Sequence, residues 1–301
     1  RFIRLWWEVP EDEVCAPDVH PEGWNGPYCV CDNSTWFAIA KGGPFSPYFS
    51  DVHLVVNWRK SGREIKGGAD QGTLPGARPQ NTQYYYRSGL TWTNSTTSRF
   101  SIRALPTGCI FSHVGQTAFF EDRGEETFLA LGVMNSDPFV GVMSIMLGLA
   151  GAGRKHYEVG TVKRVPFPDR DSRQIRQHSI GGNRIKQKLS SRFSTAKLYR
   201  FPSLLRGNKV SISSALQNEA KRVAELHGKL RSIQDTIDRE AYDLYELTGE
   251  DKRSIELSLN QQSIGTESGN SQGSDVDVND VLDPPALVQD LLSYTVGVCF
   301  G

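Results

Sequence analysis

The chain has 301 residues, of which 38% are hydrophobic and 23% are charged. This composition is typical of a globular protein with two domains, or with one large domain and an appendage. It excludes the collagen-like and cysteine-rich classes, and no run approaches the ~20 consecutive apolar residues of a transmembrane helix. The first residues lack the apolar core and small-residue cleavage site of a signal peptide, so we expect a cytoplasmic protein with no membrane partner.

Charge is unevenly distributed along the chain, although the formal net charge is zero. Residues 1–150 carry 12 Lys and Arg against 15 Asp and Glu, residues 151–231 carry 19 against 5, and residues 232–301 carry 3 against 14. A segment this basic can offer a cationic face to a polyanion such as DNA. The alternative is an internal contact between the basic and the acidic segments, and charge counts leave both open.

The first half of the chain predicts a mostly antiparallel β unit followed by helices. Short apolar segments alternate there with Gly, Pro, Asn and Ser, as strands alternate with turns. The predicted strands lie around Tyr28–Cys31 and at Trp36–Ala40, Val52–Trp58, Gln83–Tyr86, Phe100–Ala104, Cys109–Ser112 and Ala118–Phe120. From Glu125 to Leu147 apolar residues recur at helical spacing, with a break between two helices at Asp137-Pro138. Tyr157–Val165 returns to a strand-like pattern.

The second half predicts a linker and then helices. Residues 170–215 are polar, basic and rich in Ser, which indicates a linker with turns at Gly181-Gly182 and near Gly207. A long amphipathic helix over Ala215–Leu247 and a short helix over Asp251–Leu259 follow. Residues 261–280 are low in complexity and are expected to be disordered. The final apolar stretch from Pro285 predicts a helix whose packing partner lies outside the sequence.

We therefore expect an α+β fold in five parts. These are a β-rich domain over residues 1–168, a basic linker over 169–212, a helical spacer over 213–260, a disordered segment over 261–284 and the start of a C-terminal helix over 285–301. Because the sequence begins without Met and stops within an apolar run, we expect a fragment of a longer polypeptide.

The loops between Lys41 and Phe111 carry the side chains that DNA recognition requires. Cations neutralise phosphates, amides and guanidinium groups bind base edges, and aromatic rings stack on unpaired bases. Trp92 is a candidate stacking residue, with core packing as the alternative, and Arg99 and Arg103 flank an apolar strand. The predicted DNA-binding residues are Lys41, Arg59, Lys60, Arg63, Arg78, Gln80, Asn81, Tyr86, Arg87, Thr91, Trp92, Ser95, Thr97, Arg99, Arg103, Lys163 and Arg164.

Several short motifs occur in an order that resembles one family. They are Lys41-Gly42-Gly43, Val56-Asn57-Trp58, Gln80-Asn81, Gly89-Leu90-Thr91-Trp92, Leu131–Ser136, Tyr157–Gly160 and Ile237–Leu247. In this order the chain resembles the target recognition and spacer region of large adenine-specific DNA methyltransferases, the PglX-like enzymes of BREX phage-defence systems and the type IIG restriction-methylases. The resemblance implies a prokaryotic restriction–modification or phage-defence setting and double-stranded DNA as the partner. It also implies contact with a methyltransferase domain N-terminal in the same polypeptide and with other defence-system subunits.

The catalytic signature of such enzymes is missing, so we expect no catalytic residue and no cofactor in this sequence. Asn-Pro-Pro followed by Tyr or Phe would bind a flipped adenine, but Asp283-Pro284-Pro285-Ala286 has Ala at the ring position and predicts a helix start. The glycines of Gly148–Gly153 follow a helix, whereas the methyl donor requires a strand-to-helix turn. S-adenosylmethionine is therefore expected in the N-terminal domain.

Other functions have weaker support in the sequence. Asp51 with Glu64-Ile65-Lys66 has the form of a metal-dependent nuclease site, but it follows a turn, and His53 and His113 have no obvious catalytic partners. The spacing of Cys15, His20, Cys29 and Cys31 departs from zinc knuckles, so we expect no metal and reduced, structural cysteines. A DNA specificity subunit of a multi-subunit restriction system and a protein–protein interaction module remain alternatives; the absence of an internal repeat counts against the specificity subunit.

Overall fold

A computed structural model describes residues 2–15, 17–18, 34–67, 79–121, 124–148, 153–207, 211–264 and 282–300. The fold is α+β, as predicted, with small sheets in the N-terminal half and helices in the C-terminal half. The predicted strand around Tyr28–Cys31, Arg78 and residues 265–281 of the predicted disordered segment lie outside the described residues, whereas residues 261–264 of that segment are helical.

The first sheet is built around one buried strand. Its order is β1 (Ile3–Leu5), β4 (Leu54–Asn57), β3 (Trp36–Ala40) and β2 (Val14–Cys15), with β8 (Ile110–Phe111) also paired to β3. Along β3, Phe37 and Ile39 enter one apolar cluster while Ala38 and Ala40 enter another. Alternate residues of a strand point to opposite faces, so this strand is apolar throughout because both of its faces are covered.

The second sheet is antiparallel and has the order β7 (Ile102–Leu105), β5 (Gly89–Thr93) and β9 (Gly115–Ala118). A further pair joins β6 (Ser95–Thr96) to β10 (Lys155–His156). Since β5 is the central strand, its residues from Gly89 to Trp92 are buried.

Two predicted strands adopt other structures. Gln83–Tyr86 is not a strand, because Thr82–Tyr84 forms a 3-10 turn after a left-handed Asn81. Tyr157–Val165 is not a strand either, because Glu158 precedes the short helix α4 (Val159–Val162). Gln83–Tyr86 is too short to separate a strand from a helical turn, and Val159, Val162 and Val165 recur at a spacing of three, which a helical turn also fits.

Helices α2 (Glu125–Asn135) and α3 (Asp137–Met146) confirm the two helices predicted there. The break is set by Ser136 at the N-cap position with Pro138 in the first turn. The Asn135 side chain accepts from the Ile102 N–H at 3.0 Å and donates to the Ile102 carbonyl at 2.8 Å, as a neighbouring strand would. The amide thereby satisfies the backbone N–H and carbonyl of Ile102 at the edge of β7.

The interpretation of residues 170–215 as a linker is wrong for its first half. Helix α5 spans Arg173–Ser190, with the Ser172 hydroxyl accepting from Ile175 N at its start. Gly181 and Gly182 lie within this helix and form no turn. Small residues allow α5 to lie close to α2: a β carbon on Gly132 would lie 2.3 Å from the Ser179 hydroxyl. Because α5 packs on α2 through small residues, it has few large apolar residues, and the apolar pattern that predicts a helix is weak there.

The remaining helices are α6 (Ile212–Leu244), α7 (Gly249–Ile264) and α8 (Pro284–Phe300). They confirm the three predicted helices, although α6 begins and ends three residues earlier and α7 begins earlier and extends further. The packing partner of α8 was predicted to lie outside the sequence, but Leu287 of α8 packs within the chain against Leu204 and Ala215. Ile237 and Ala241 of α6 and Ile255 of α7 belong to the main core cluster, which also contains β5, β7, α2 and α3. At the end of α8, Leu292, Val296 and Val298 are exposed.

Cys15 is buried and disulfide-bonded. The expectation of reduced thiols throughout is therefore wrong at this position, because the fold brings its sulfur within bonding distance of another. Cys109 and Cys299 are free thiols, and Cys29 and Cys31 lie outside the described residues.

In the described part of the chain no single helix is long and apolar enough to cross a membrane. The pair α2 and α3, bent by 63°, meets the criterion of length and composition only when taken together.

Candidate nucleic-acid interface

A groove of about 1050 Å³ crosses the β-rich half of the protein. Apolar and aromatic side chains form much of its wall, from Trp58 and Ile65 through Tyr85 and Phe111 to Val162. Polar side chains with exposed surface also line it: Lys41, Gln80, Asn81, His113, Gln116 and Lys163. This arrangement is suited to a ligand with flat rings and polar edges.

Next to the groove the chain makes a left-handed turn after β4. The helix α1 (Arg59–Lys66) contains Lys60, Ser61 and Gly62 at φ of 51°, 56° and 73°, and Gly62 N donates to Trp58 O at 3.0 Å. A β carbon on Gly62 would lie 2.6 Å from the Trp58 ring, so glycine is required there. Each non-glycine residue in this conformation costs about 1–3 kcal/mol, and such strain is concentrated at functional sites.

The loop before β5 is similarly constrained. Asn81 has φ of 56° and Tyr86 has φ of 69°. The Tyr84 ring stacks on Phe119 with centroids 5.4 Å apart, and the Arg87 guanidinium lies over both rings, 5.4 and 5.7 Å from their centroids. Burial raises the pKa of Tyr86 to about 12, so its hydroxyl keeps its proton.

Nine of the predicted DNA-binding residues are exposed, and their side chains form no hydrogen bond or ion pair with another described residue. These are Lys41, Arg59, Lys60, Arg63, Gln80, Asn81, Thr97, Lys163 and Arg164. Four of them line the groove: Lys41, Gln80, Asn81 and Lys163. Lys41 follows β3, Gln80 and Asn81 precede the 3-10 turn before β5, and Lys163 follows α4, so separate elements bring these four side chains to one groove.

Three predicted residues are buried, and their burial argues against direct contact with DNA. Trp92 is 2% exposed, packs against Phe100 and donates from Nε1 to the Tyr157 carbonyl at 2.7 Å. Arg103 is 3% exposed and donates to Pro44 O at 3.1 Å and to a threonine hydroxyl at 3.0 Å. Thr91 is buried in the central strand. The second sheet encloses these side chains because both its faces are covered.

Four predicted residues are half-buried, and two of these are cations with intramolecular partners. Arg99 lies 3.4 Å from the Asp137 carboxylate and 5.4 Å from the Phe45 ring centroid. Arg87 covers the Tyr84 ring, as described above. Tyr86 is held by its backbone, and the hydroxyl oxygen of Ser95 is buried. These contacts make the guanidinium groups of Arg87 and Arg99 less available to bind a phosphate.

Two groove residues were missed by the sequence-based predictions, His113 and Gln116. His113 is exposed, and the Gln116 side chain donates from Nε2 to the His113 carbonyl at 3.0 Å. The signal in the sequence is a short polar segment between two apolar strands, which is common in surface hairpins. This pattern does not show that the two side chains line the groove, because their position depends on how β8 and β9 pair with other strands.

Asp51 and His53, considered above for nuclease or nucleophilic chemistry, have a structural role. The Asp51 carboxylate lies 3.1 Å from His53 Nδ1 and accepts from the Lys197 N–H at 3.2 Å. The hydrogen bond to Asp51 raises the pKa of His53. Among the described residues no group of three or more side chains could hold a metal ion.

An acidic pair joins the β-rich half to α6. Asp238 accepts from the backbone N–H of Asp137 at 2.8 Å and from Gln234 Nε2 at 2.9 Å. Gln234 also hydrogen-bonds the Tyr48 hydroxyl. Burial, and then repulsion from Asp137, raise the pKa of Asp238 to about 7. Arg99 opposes this shift from the other side of Asp137.

Comparisons with known proteins point to one group of enzymes. No family model matches the chain. The chain is 22% identical over 306 residues to the adenine-specific methyltransferase PglX of Lacticaseibacillus casei (strain Zhang), an alignment that covers the whole chain and 23% of the relative. It is 31% identical over 136 residues to the adenine-specific methyltransferase BrxX of Escherichia coli O9:H4 (strain HS), 45% of the chain and 10% of that relative.

The chain thus spans less than a quarter of the length of these curated relatives. The two similarities support a relationship to the PglX and BrxX methyltransferases, and a methyltransferase-associated role.

Proposed function

We propose that the chain is a target recognition region that binds double-stranded DNA for an adenine-specific methyltransferase related to PglX and BrxX. The groove and the strained turns beside it form the contact surface. The methyltransferase domain, which would bind S-adenosylmethionine and transfer the methyl group, belongs to another part of the same polypeptide. Recognition residues here then select the sequence whose adenine is modified.

The observation that carries this proposal is a set of polar side chains in and beside one groove that have no side-chain partner among the described residues. Lys60 is exposed within the left-handed turn, Arg59 and Arg63 are exposed on either side of it, and Lys163 lines the groove itself. Phosphate contacts require cations that have no competing intramolecular acceptor. A strained turn with exposed cations is consistent with a binding role.

We place no site for S-adenosylmethionine on the described residues. Such a site needs a glycine-rich turn between a strand and a helix. Gly148, at φ of 60°, instead follows the end of α3, and the nearby residues 149–152 lie outside the described part of the chain. The transfer step is therefore not assigned to any residue of this chain.

We expect the chain to bind random-sequence duplex DNA with an affinity that falls linearly as salt rises on logarithmic axes. Each phosphate contact contributes about −0.9 to the slope. Replacing Arg59, Lys60 and Arg63 together by Ala should make the slope less steep by about 1 for each phosphate that is no longer bound. Fluorescence anisotropy with a labelled duplex at several salt concentrations measures both quantities.

A matched control removes the same charge from a different surface. Lys221, Lys229 and Arg231 are exposed on α6 and none of them lines the groove, so their triple replacement by Ala should change the slope little. Alanine at position 60 keeps the β carbon, so the strain of the left-handed turn is retained. Equal decreases in affinity for the two triple variants would indicate diffuse attraction, and no binding by the unmodified chain at low salt would refute the proposal.

A protein–protein interaction module is the second candidate. It is favoured by the exposed apolar residues of α8, where Val298 is 68% exposed. The DNA titration separates the two candidates, because an interaction module has no affinity for DNA.

A further inference from the structure

We infer that the loop Ser112–Gln116, together with Lys41, sets the DNA sequence preference of this chain by hydrogen bonding to base edges. The inference rests on the proposed function and assigns a specificity role to His113 and Gln116. Neither residue was among those predicted from the sequence to contact DNA.

The chemistry of these side chains suits base edges. A glutamine amide can bind N6 and N7 of adenine, and a lysine ammonium can bind O6 and N7 of guanine. Gln116 uses one N–H in its bond to the His113 carbonyl, which leaves its other N–H and its carbonyl oxygen for a ligand. His113 and Lys41 are exposed, and their side chains have no hydrogen-bond partner among the described residues.

Backbone contacts hold this loop firmly against the strands on either side. Ser112 N donates to the Ala40 carbonyl at 3.0 Å, and Asn94 N donates to the Val114 carbonyl at 3.1 Å. A β carbon on Gly115 would lie 2.7 Å from the Ala40 carbonyl oxygen, so the loop and the residue before Lys41 are in close contact. Base readout requires such fixed placement, because a displaced donor loses its geometry.

The groove and the left-handed turn beside it thus offer two kinds of polar surface with different consequences. The left-handed turn presents Arg59 and Lys60, whose charges suit phosphates of any sequence. The Ser112–Gln116 loop presents an amide and an imidazole, which supply little affinity for phosphates but distinguish bases. Affinity and sequence preference should therefore respond to separate substitutions.

Selection from a library of randomised duplexes, followed by sequencing of the bound fraction, tests this assignment in the full chain. Gln116→Ala should reduce the preference at one or two positions by about tenfold, while affinity for non-preferred duplexes changes less than about twofold. His113→Ala, a change at an exposed side chain, should alter the preference at a neighbouring position. Thermal melting verifies that both variants fold.

Lys60→Ala is the control, because it should lower affinity for all sequences alike and leave the preferred sequence unchanged. If both loop variants keep the sequence preference of the unmodified chain, the inference is overturned while the DNA-binding proposal stands. If the unmodified chain enriches no sequence although it binds DNA, the inference is likewise overturned. Absence of any DNA binding overturns the proposed function first.

Discussion

At the scale of single residues, Lys41 and Trp92 show what neighbours along the chain can predict. Both lie in polar segments and both were predicted to contact DNA. Lys41 is exposed at the groove, whereas Trp92 is buried and hydrogen-bonded to Tyr157, 65 positions away in the sequence. The type of each side chain indicates what it could bind. Whether it is buried depends on contacts with residues distant in the sequence, which a local pattern does not contain.

Trp92→Ala should destabilise the fold without removing a DNA contact. Loss of a buried Trp leaves a cavity, and such changes typically cost about 3–5 kcal/mol. Urea unfolding followed by fluorescence of the remaining Trp residues measures this loss. Lys41→Ala is the comparison, because an exposed substitution should change stability by less than about 0.5 kcal/mol. A Trp92→Ala variant of normal stability would show that this ring is not part of the core.

At the scale of elements, helices with large apolar residues at regular spacing were predictable and α5 was not. Helices α2, α3 and α6 were predicted from their periodicity. Helix α5 packs through Ser179 and Gly182, small residues that sequence patterns associate with loops. The packing of α5 is explained only by the structure, in which Gly132 of α2 lies against Ser179 of α5. The 3-10 turn at Thr82–Tyr84 was missed for a similar reason, since Asn81 sets it by its left-handed conformation.

The contact between α3 and α6 should make stability depend on pH through Asp238. Its folded-state pKa, about 7, lies above its usual value of 3.8. Its stabilising contribution is therefore complete below the usual value and is lost as pH rises through about 7, at up to about 1.4 kcal/mol per pH unit. Asp238→Asn should be more stable than the unmodified chain at pH 8, and this advantage should shrink toward pH 5.

Thermal melting at both pH values measures this effect. Asn keeps an oxygen that can accept from the Asp137 N–H and from Gln234, so the hydrogen bonds are retained. Asp243→Asn on the same helix is the control, because Asp243 is exposed. An equal response of the two variants would exclude the acidic pair as the cause.

At the scale of the whole molecule, the apolar core crosses the domain boundary that was predicted at residue 168. Ile175, Ile237 and Ile255 all join the cluster built on β5, α2 and α3. The basic segment is also less available than its charge suggests, because Lys186 and Arg192 are buried and Arg170 pairs with Glu246. The division of the chain into parts stays a prediction, since composition shows where polarity changes and not what packs together.

A fragment that ends at Pro168 should therefore fail to fold cooperatively. It would expose the faces of α2 and α3 that α5, α6 and α7 cover. A fragment that ends at Ile264 keeps all of these helices and should retain the near-ultraviolet circular dichroism of the full chain. Cooperative urea unfolding of the shorter fragment would establish residues 1–168 as an autonomous domain.

The backbone bonds around Ser112–Gln116 have a consequence for how this surface can diverge. The bonds that fix the loop, Ser112 N to Ala40 O and Asn94 N to Val114 O, use main-chain atoms. Side chains at positions 41 and 113 are therefore replaceable without loss of the main-chain bonds that hold the loop, whereas Gly115 is not. Mutational drift could change the chemistry displayed on this loop while the architecture beneath it stays constant, which makes it a natural place to graft residues from relatives.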